Sequence, residues 1–156
     1  METAIVETGI VFASVGVAAS AVLGGLGSSI GMGIAGAKAT GVIAEKANLF
    51  SKVMVMTALP GSQAVYGLLV SFLIINKIGG MDGVISNAVG MQFMWVGLLM
   101  GLAGLFSGWF QGRVAAGGIG AIARNESLLG NAIILAALVE TSAIFGLLIA
   151  VLFLPK

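Results

Sequence analysis

Long stretches without charge divide the chain into four parts. Apart from one glutamate in the last part, these stretches run Thr8–Ala37, Val53–Asn76, Gly83–Gly112 and Ser127–Pro155. Each is longer than the about 20 residues that a helix needs to cross the hydrocarbon core of a bilayer. The pattern predicts an all-α membrane protein with four transmembrane helices joined by short connections and surrounded by membrane lipid.

Composition supports this prediction and excludes several classes of function. Hydrophobic residues make up 59% of the chain and charged residues 8%, whereas about a quarter of a soluble domain is charged. The net charge of +1 predicts no nucleic-acid partner. The sequence has no cysteine or histidine, which excludes disulfides, thiolate chemistry and histidine-based acid–base chemistry. The acidic start, with Glu2 and Glu7, differs from the basic leader of a signal peptide, so we expect the first stretch to be a retained span.

Basic residues are distributed unevenly among the connections. The first and third connections, near residues 38–52 and 113–126, contain five of the seven: Lys38, Lys46, Lys52, Arg113 and Arg124. The opposite side carries Lys77 and Lys156 together with Glu2, Glu7 and Asp82. Because cytoplasmic loops of membrane proteins are enriched in Lys and Arg, we expect these two connections to be cytoplasmic. Both termini should then lie on the outer side of the cell membrane.

The two halves of the chain are copies of one another. A shift of 79 residues aligns Gly25–Leu73 with Gly104–Leu152 without a gap. A fixed offset predicts one structural unit used twice, here a helical hairpin over residues 1–79 and again over 80–156. Each hairpin crosses the membrane twice, so both copies have the same orientation. Glu140 aligns with Gly61, and only the second hairpin keeps a carboxylate in the membrane.

Glycines recur at steps of three and four residues on the first and third helices. The stripes contain Gly24, Gly27 and Gly31 on the first helix and Gly104, Gly108 and Gly112 on the third. Small residues at this spacing let helix backbones approach closely within lipid. Two interpretations remain open: packing inside one four-helix bundle, or a ring of subunits whose inner circle is formed by the first and third helices.

Glu140 is the candidate functional residue. An acidic side chain at the centre of a transmembrane helix costs about 2.5–3.5 kcal/mol, and such residues usually carry an ion or a proton. At about 1.5 Å per residue, Gln63, Gln111 and Glu140 all lie roughly 20–25 Å from the cytoplasmic ends of their helices. Ser62 and Tyr66 lie within one turn of Gln63. We therefore expect these side chains to converge.

The converging groups are rich in oxygen and carry a single negative charge. Hard cations prefer oxygen ligands, and one carboxylate among neutral oxygens suits a monovalent cation. A proton would need the carboxylate alone, so the additional oxygens favour Na⁺ over H⁺. A purely structural hydrogen-bond network is the remaining alternative.

The chain resembles the proteolipid subunit (K, or c-type) of V-type ATPases, most closely the bacterial sodium-pumping members. The resemblance covers essentially the whole chain and includes the motifs Leu59-Pro-Gly-Ser-Gln63, Phe106-Ser-Gly-Trp-Phe-Gln-Gly112 and Leu138-Val-Glu-Thr141. It implies that Na⁺ is held by the Leu59 carbonyl, Ser62, Gln63, Gln111 and Glu140, with Tyr66 bonded to the glutamate. The family often has threonine at the position of Ser62.

The resemblance also implies a partner set and a mechanism. Identical subunits form a rotor ring, which is joined to central-stalk subunits and turns against a stator subunit that supplies an essential arginine. ATP hydrolysis takes place in a separate soluble sector, so we expect no catalytic centre on this chain. The alternatives are the same ring carrying H⁺ and a small stand-alone ion transporter or channel.

Overall fold

The computed structural model describes residues 2–81 and 85–155, with side chains from Thr8 onward. The helices of this part of the chain are α1 (Glu2–Glu45), α2 (Phe50–Ala58), α3 (Ser62–Gly79), α4 (Asn87–Arg124) and α5 (Leu129–Leu152). The described chain contains four candidate membrane spans, because α2 and α3 continue each other across a 3₁₀ turn at Leu59–Gly61. The prediction of an all-α, multi-pass membrane protein is confirmed. Asp82, Lys156 and the side chains of Glu2 and Glu7, which were used to assign the sides of the membrane, lie outside the described residues.

The most extensive packing in the molecule joins α1 to α4. A Cβ atom added at Gly97 would overlap the backbone of Gly16, and one at Gly27 would overlap the backbone of Gly104. Gly31 packs in the same way against Gly108 and Gly112. The glycine stripes therefore allow two helix backbones of one subunit to touch, as small residues do in lipid. Gly24 differs, because its Cβ would lie 2.7 Å from the carbonyl oxygen of Gln63 on α3.

The internal repeat is visible in the local geometry of the two hairpin turns. Lys46 N donates to the Val42 carbonyl at 2.8 Å, and Asn125 N donates to the Ala121 carbonyl at 2.9 Å. Each turn continues into a 3₁₀ helix, which spans Ala47–Leu49 in the first half and Glu126–Leu128 in the second. All of these features are 79 residues apart, so the two halves fold alike.

Both hairpin turns lie at the same end of the molecule. The Lys52 ammonium is 2.6 Å from the Glu126 carboxylate, and Lys46 donates to the Ala123 carbonyl at 2.7 Å. The first and third connections thus contact each other through charged and polar groups.

Candidate ion-binding site

Pro60 creates the irregularity around which the site is built. Proline has no backbone N–H, so the Met56 carbonyl lacks its usual donor one turn later and the helix tightens into the 3₁₀ turn. The Leu59 carbonyl accepts hydrogen bonds from the backbone N–H of Ser62 and, at 3.3 Å, from the Ser62 hydroxyl. The sequence at 59–62 therefore places a carbonyl and a hydroxyl immediately before Gln63.

The Glu140 carboxylate accepts a hydrogen bond at each of its oxygens. The Tyr66 hydroxyl donates to Oε1 at 2.6 Å, and Gln111 Nε2 donates to Oε2 at 3.3 Å. Both oxygens of the carboxylate are thus within hydrogen-bond distance of a side chain from another helix. The Tyr66 contact is the shorter of the two, so Tyr66 is the closest partner of this group.

Two buried glutamines extend the network away from Glu140. Gln63 and Gln111 are both 0% exposed. Gln111 Nε2 also donates to the Ala136 carbonyl at 3.2 Å, which fixes the orientation of that amide because a carbonyl can only accept. Gln111 Oε1 then accepts from Gln63 Nε2 at 2.8 Å. The direction of both amides follows from a single backbone acceptor.

One oxygen in this network is left without a donor. Gln63 Oε1 is buried and has no hydrogen-bond partner among the described residues. An unsatisfied buried polar atom costs about 1–3 kcal/mol, and native proteins rarely keep one without a reason. A buried, free amide oxygen next to a carboxylate network is suited to binding a hard cation. The described chain has no group of three His, Cys, Asp or Glu side chains that could hold a transition metal.

The structure brings most of the predicted site residues into one connected set. Hydrogen bonds link Tyr66, Glu140, Gln111 and Gln63 in that order. Leu59 and Ser62 bond to each other beside Gln63. Ser107 belongs to the same network, although it was not among the predicted site residues. Its signals in the sequence are its alignment with Ser28 across the repeat and its place in the motif that begins at Phe106.

Glu140 lies at the flank of the subunit. Its side chain is partly buried, whereas Leu138, Thr141 and Ser142 around it on α5 are exposed. The Thr141 hydroxyl bonds to the Leu138 carbonyl of its own helix, at 2.8 Å. The carboxylate therefore stands at the boundary between the protein network and whatever covers the outer face of α5.

Four spans in two equivalent hairpins, with one hydrogen-bonded carboxylate in the second, define a duplicated membrane proteolipid. The family model for the C subunit of ATP synthase matches residues 15–74 and 94–153, two stretches that begin 79 residues apart. This chain therefore belongs to the family of ATP synthase C subunits. The two matches also confirm the predicted duplication.

Similar proteins carry names from the V-type and A-type ATPases. The chain is 41% identical over 145 residues to the A-type ATP synthase subunit K of Methanocaldococcus jannaschii, covering 93% of this chain and 62% of that protein. It is 36% identical over 144 residues to the V-type sodium ATPase subunit K of Enterococcus hirae, covering 92% and 90%. It is 28% identical over 145 residues to the 16 kDa proteolipid of the V-type proton ATPase of Ovis aries, covering 93% and 92%. The predicted resemblance to the proteolipid subunits of V-type ATPases is confirmed.

Proposed function

We propose that this chain is a rotor-ring subunit of a rotary ATPase and that it carries one Na⁺ at Glu140. The observation that carries the proposal is the free, buried Oε1 of Gln63 in the hydrogen-bond network of the single membrane carboxylate. The chain spans 62% of the length of its relative from Methanocaldococcus jannaschii.

The proposed ligands are all oxygens: the Glu140 carboxylate, Gln63 Oε1, Gln111 Oε1, the Ser62 hydroxyl and the Leu59 carbonyl. One negative charge balances one monovalent cation, and the neutral oxygens replace its hydration shell. Tyr66 stays bonded to Glu140 and closes the site. The occupied site is thereby neutral, which lowers the cost of moving the carboxylate past lipid.

The neutral oxygens around Glu140 favour Na⁺ over H⁺, because a proton needs the carboxylate alone. Gln63 Oε1 is buried and free in the network that Tyr66 and Gln111 form with Glu140. The relative from Enterococcus hirae is named as a sodium ATPase subunit, which agrees with this preference. The same ring carrying H⁺ is the second candidate, because the relative from Ovis aries is named as a proton ATPase subunit.

The internal repeat supports a ring of identical subunits. The hairpins 1–79 and 80–156 pack side by side through α1 and α4, and the same step applied again would place the next subunit's α1 against the free face of α4. In that step Phe106 and Gly25 of the next subunit take the places of Gly27 and Gly104, 79 residues on. The two helices must lie further apart there, because even a Cβ at Gly27 would overlap the Gly104 backbone. Phe106 is 51% exposed, and a Cβ added at Gly25 meets nothing within 4 Å. A large side chain on one face thus matches an open position on the other.

In the proposed mechanism, ATP hydrolysis in a separate soluble sector turns the ring through its central-stalk subunits. We place the hairpin turns near residues 38–52 and 113–126 on the cytoplasmic side and both termini outside. Each Glu140 in turn meets the stator, where an arginine of another subunit displaces the cation. Because each subunit has one such carboxylate, each subunit transports one cation.

Carbodiimide labelling of Glu140 in the purified full chain tests the proposal. Carbodiimides react with a protonated carboxyl, so bound Na⁺ protects it. We expect Na⁺, and not K⁺ at the same ionic strength, to suppress labelling at neutral and mildly alkaline pH. Labelling that is insensitive to Na⁺ would refute the sodium form. ATP hydrolysis by the assembled enzyme that does not depend on Na⁺ would then support the H⁺ ring.

A further inference from the structure

Ser107 is a buried serine of α4 that joins the site through Gln63. Only 2% of its surface is exposed. Its hydroxyl accepts a hydrogen bond from Gln63 Nε2 at 3.1 Å and donates one to the Val139 carbonyl on α5 at 3.2 Å. It therefore lies between the amide proposed to hold the cation and the residue that precedes Glu140.

The Val139 carbonyl determines what the Ser107 hydroxyl can do. A carbonyl only accepts, so the single hydrogen of the hydroxyl points toward Val139, and its oxygen is left to accept from Gln63. Both hydrogens of the Gln63 amide are then used, one by Ser107 and one by Gln111. The amide is held with nitrogen toward α4 and oxygen free. Rotating the amide by half a turn would bring its oxygen against Ser107 Oγ and Gln111 Oε1, which are both acceptors here.

We propose that Ser107 is a positioning residue that keeps the Gln63 oxygen available to the transported cation. The inference rests on the proposed function. Without the Ser107 oxygen, one N–H of Gln63 is buried without an acceptor, and Gln111 Oε1 alone is left to hold the direction of the amide. Loss of this hydroxyl should lower the affinity for the cation, because Gln63 contributes an oxygen ligand. It should not change the access of protons to Glu140, because Tyr66 and Gln111 still hold the carboxylate.

The test is Ser107→Ala in the full chain, measured by carbodiimide labelling of Glu140 across a Na⁺ titration. We expect the Na⁺ concentration for half-protection to rise about 3- to 10-fold, the range that one neutral hydrogen bond supplies. The labelling rate without Na⁺ should stay within twofold of the parent chain. Ser107→Thr keeps the hydroxyl and should restore the Na⁺ midpoint. Ser71→Ala is the matched control, since that buried hydroxyl bonds to the Val17 carbonyl at 2.7 Å, two turns from Gln63.

A double-mutant cycle separates positioning from packing. In a Gln63→Ala background, Ser107→Ala should produce no further shift, because the amide that it orients is gone. An equal shift in both backgrounds, or a changed labelling rate without Na⁺, would show that Ser107 acts through α4–α5 packing and would overturn the inference. An unchanged midpoint in Ser107→Ala alone overturns it while leaving the proposed function intact. If Na⁺ does not protect the parent chain, both proposals fail.

Discussion

Tyr66→Phe isolates the hydrogen bond that closes the proposed site. The ring of the phenylalanine fills the same volume, and only the hydroxyl that donates to Glu140 Oε1 at 2.6 Å is lost. A hydrogen bond to a charged group contributes about 1.5–3 kcal/mol, twice or more the value for a neutral pair. If that energy is realised only when the carboxylate is ionised and holds Na⁺, affinity for Na⁺ should fall about 10- to 100-fold.

Binding of ²²Na⁺ to the purified protein measures this change directly. Thr141→Val is the matched control, because it also removes one hydroxyl and lies next to Glu140 in the sequence. That hydroxyl bonds to the Leu138 carbonyl of its own helix and not to the carboxylate. We expect Thr141→Val to bind Na⁺ within about twofold of the parent chain, as is usual for an exposed substitution that removes no contact of the site.

Two outcomes would contradict this reasoning about Tyr66. Affinity for Na⁺ within twofold of the parent would mean that Tyr66 does not stabilise the occupied state. An equal loss in Tyr66→Phe and Thr141→Val would mean that any hydroxyl near Glu140 matters, for instance through hydration of the flank, and that the specific bond to Oε1 is not responsible.

Three further predictions test the site, the packing and the ring. Glu140→Gln removes the only charge in the network and should abolish ²²Na⁺ binding and Na⁺-dependent ATP hydrolysis; retained coupled transport would exclude Glu140 as the carrier. Gly97→Ala places a methyl group in the α1–α4 contact and should lower the free energy of unfolding by about 1–3 kcal/mol, seen as a lower thermal transition temperature. Gly130→Ala, at an open position, should leave that temperature unchanged. Cysteines at Gly25 and Phe106 together, in a chain without native cysteine, should form a ladder of disulfide-linked oligomers, and the absence of dimers and higher species would exclude the proposed register.

The course of the helices was largely predictable because hydrophobic length alone specifies a membrane span. The uncharged runs end at Ala37 and Gly112, but α1 continues to Glu45 and α4 to Arg124. Hydrophobicity marks where a helix leaves the apolar layer and not where it stops. Beyond that layer the chain can remain helical while its charged side chains reach water.

The convergence of the candidate residues was predictable from the sequence, and the hydrogen bonds between them were less so. Depth along each helix predicted that Gln63, Gln111 and Glu140 would meet. Depth does not specify which end of an amide faces the cation, because that depends on backbone acceptors such as Ala136 on a neighbouring helix. Ser107 was missed for a related reason. A serine within a stripe of glycines is typical of close helix packing. The role of Ser107 depends on a hydrogen bond to the backbone carbonyl of Val139, and a sequence motif does not show where a backbone carbonyl points.

The first hairpin shows how the positions of Glu140 and Gln111 pack when they carry no polar side chains. Its equivalents of Glu140 and Gln111 are Gly61 and Met32, which still face each other, since a Cβ at Gly61 would lie 3.5 Å from the Met32 sulfur. Ser28, the equivalent of Ser107, keeps its buried hydroxyl but accepts at 2.8 Å from the backbone N–H of Ala64.

The packing geometry therefore does not itself require a carboxylate, because the first hairpin preserves it without one. What distinguishes the second hairpin is a set of polar side chains at positions where its copy has glycine and methionine. Such groups are costly to bury in lipid unless they are satisfied. Glu140 and Gln111 of the second hairpin meet Tyr66 and the free Gln63 oxygen of the first, and this combination is best explained by a ligand that arrives from outside the chain. The candidate site therefore lies between the two hairpins, and each hairpin supplies part of it.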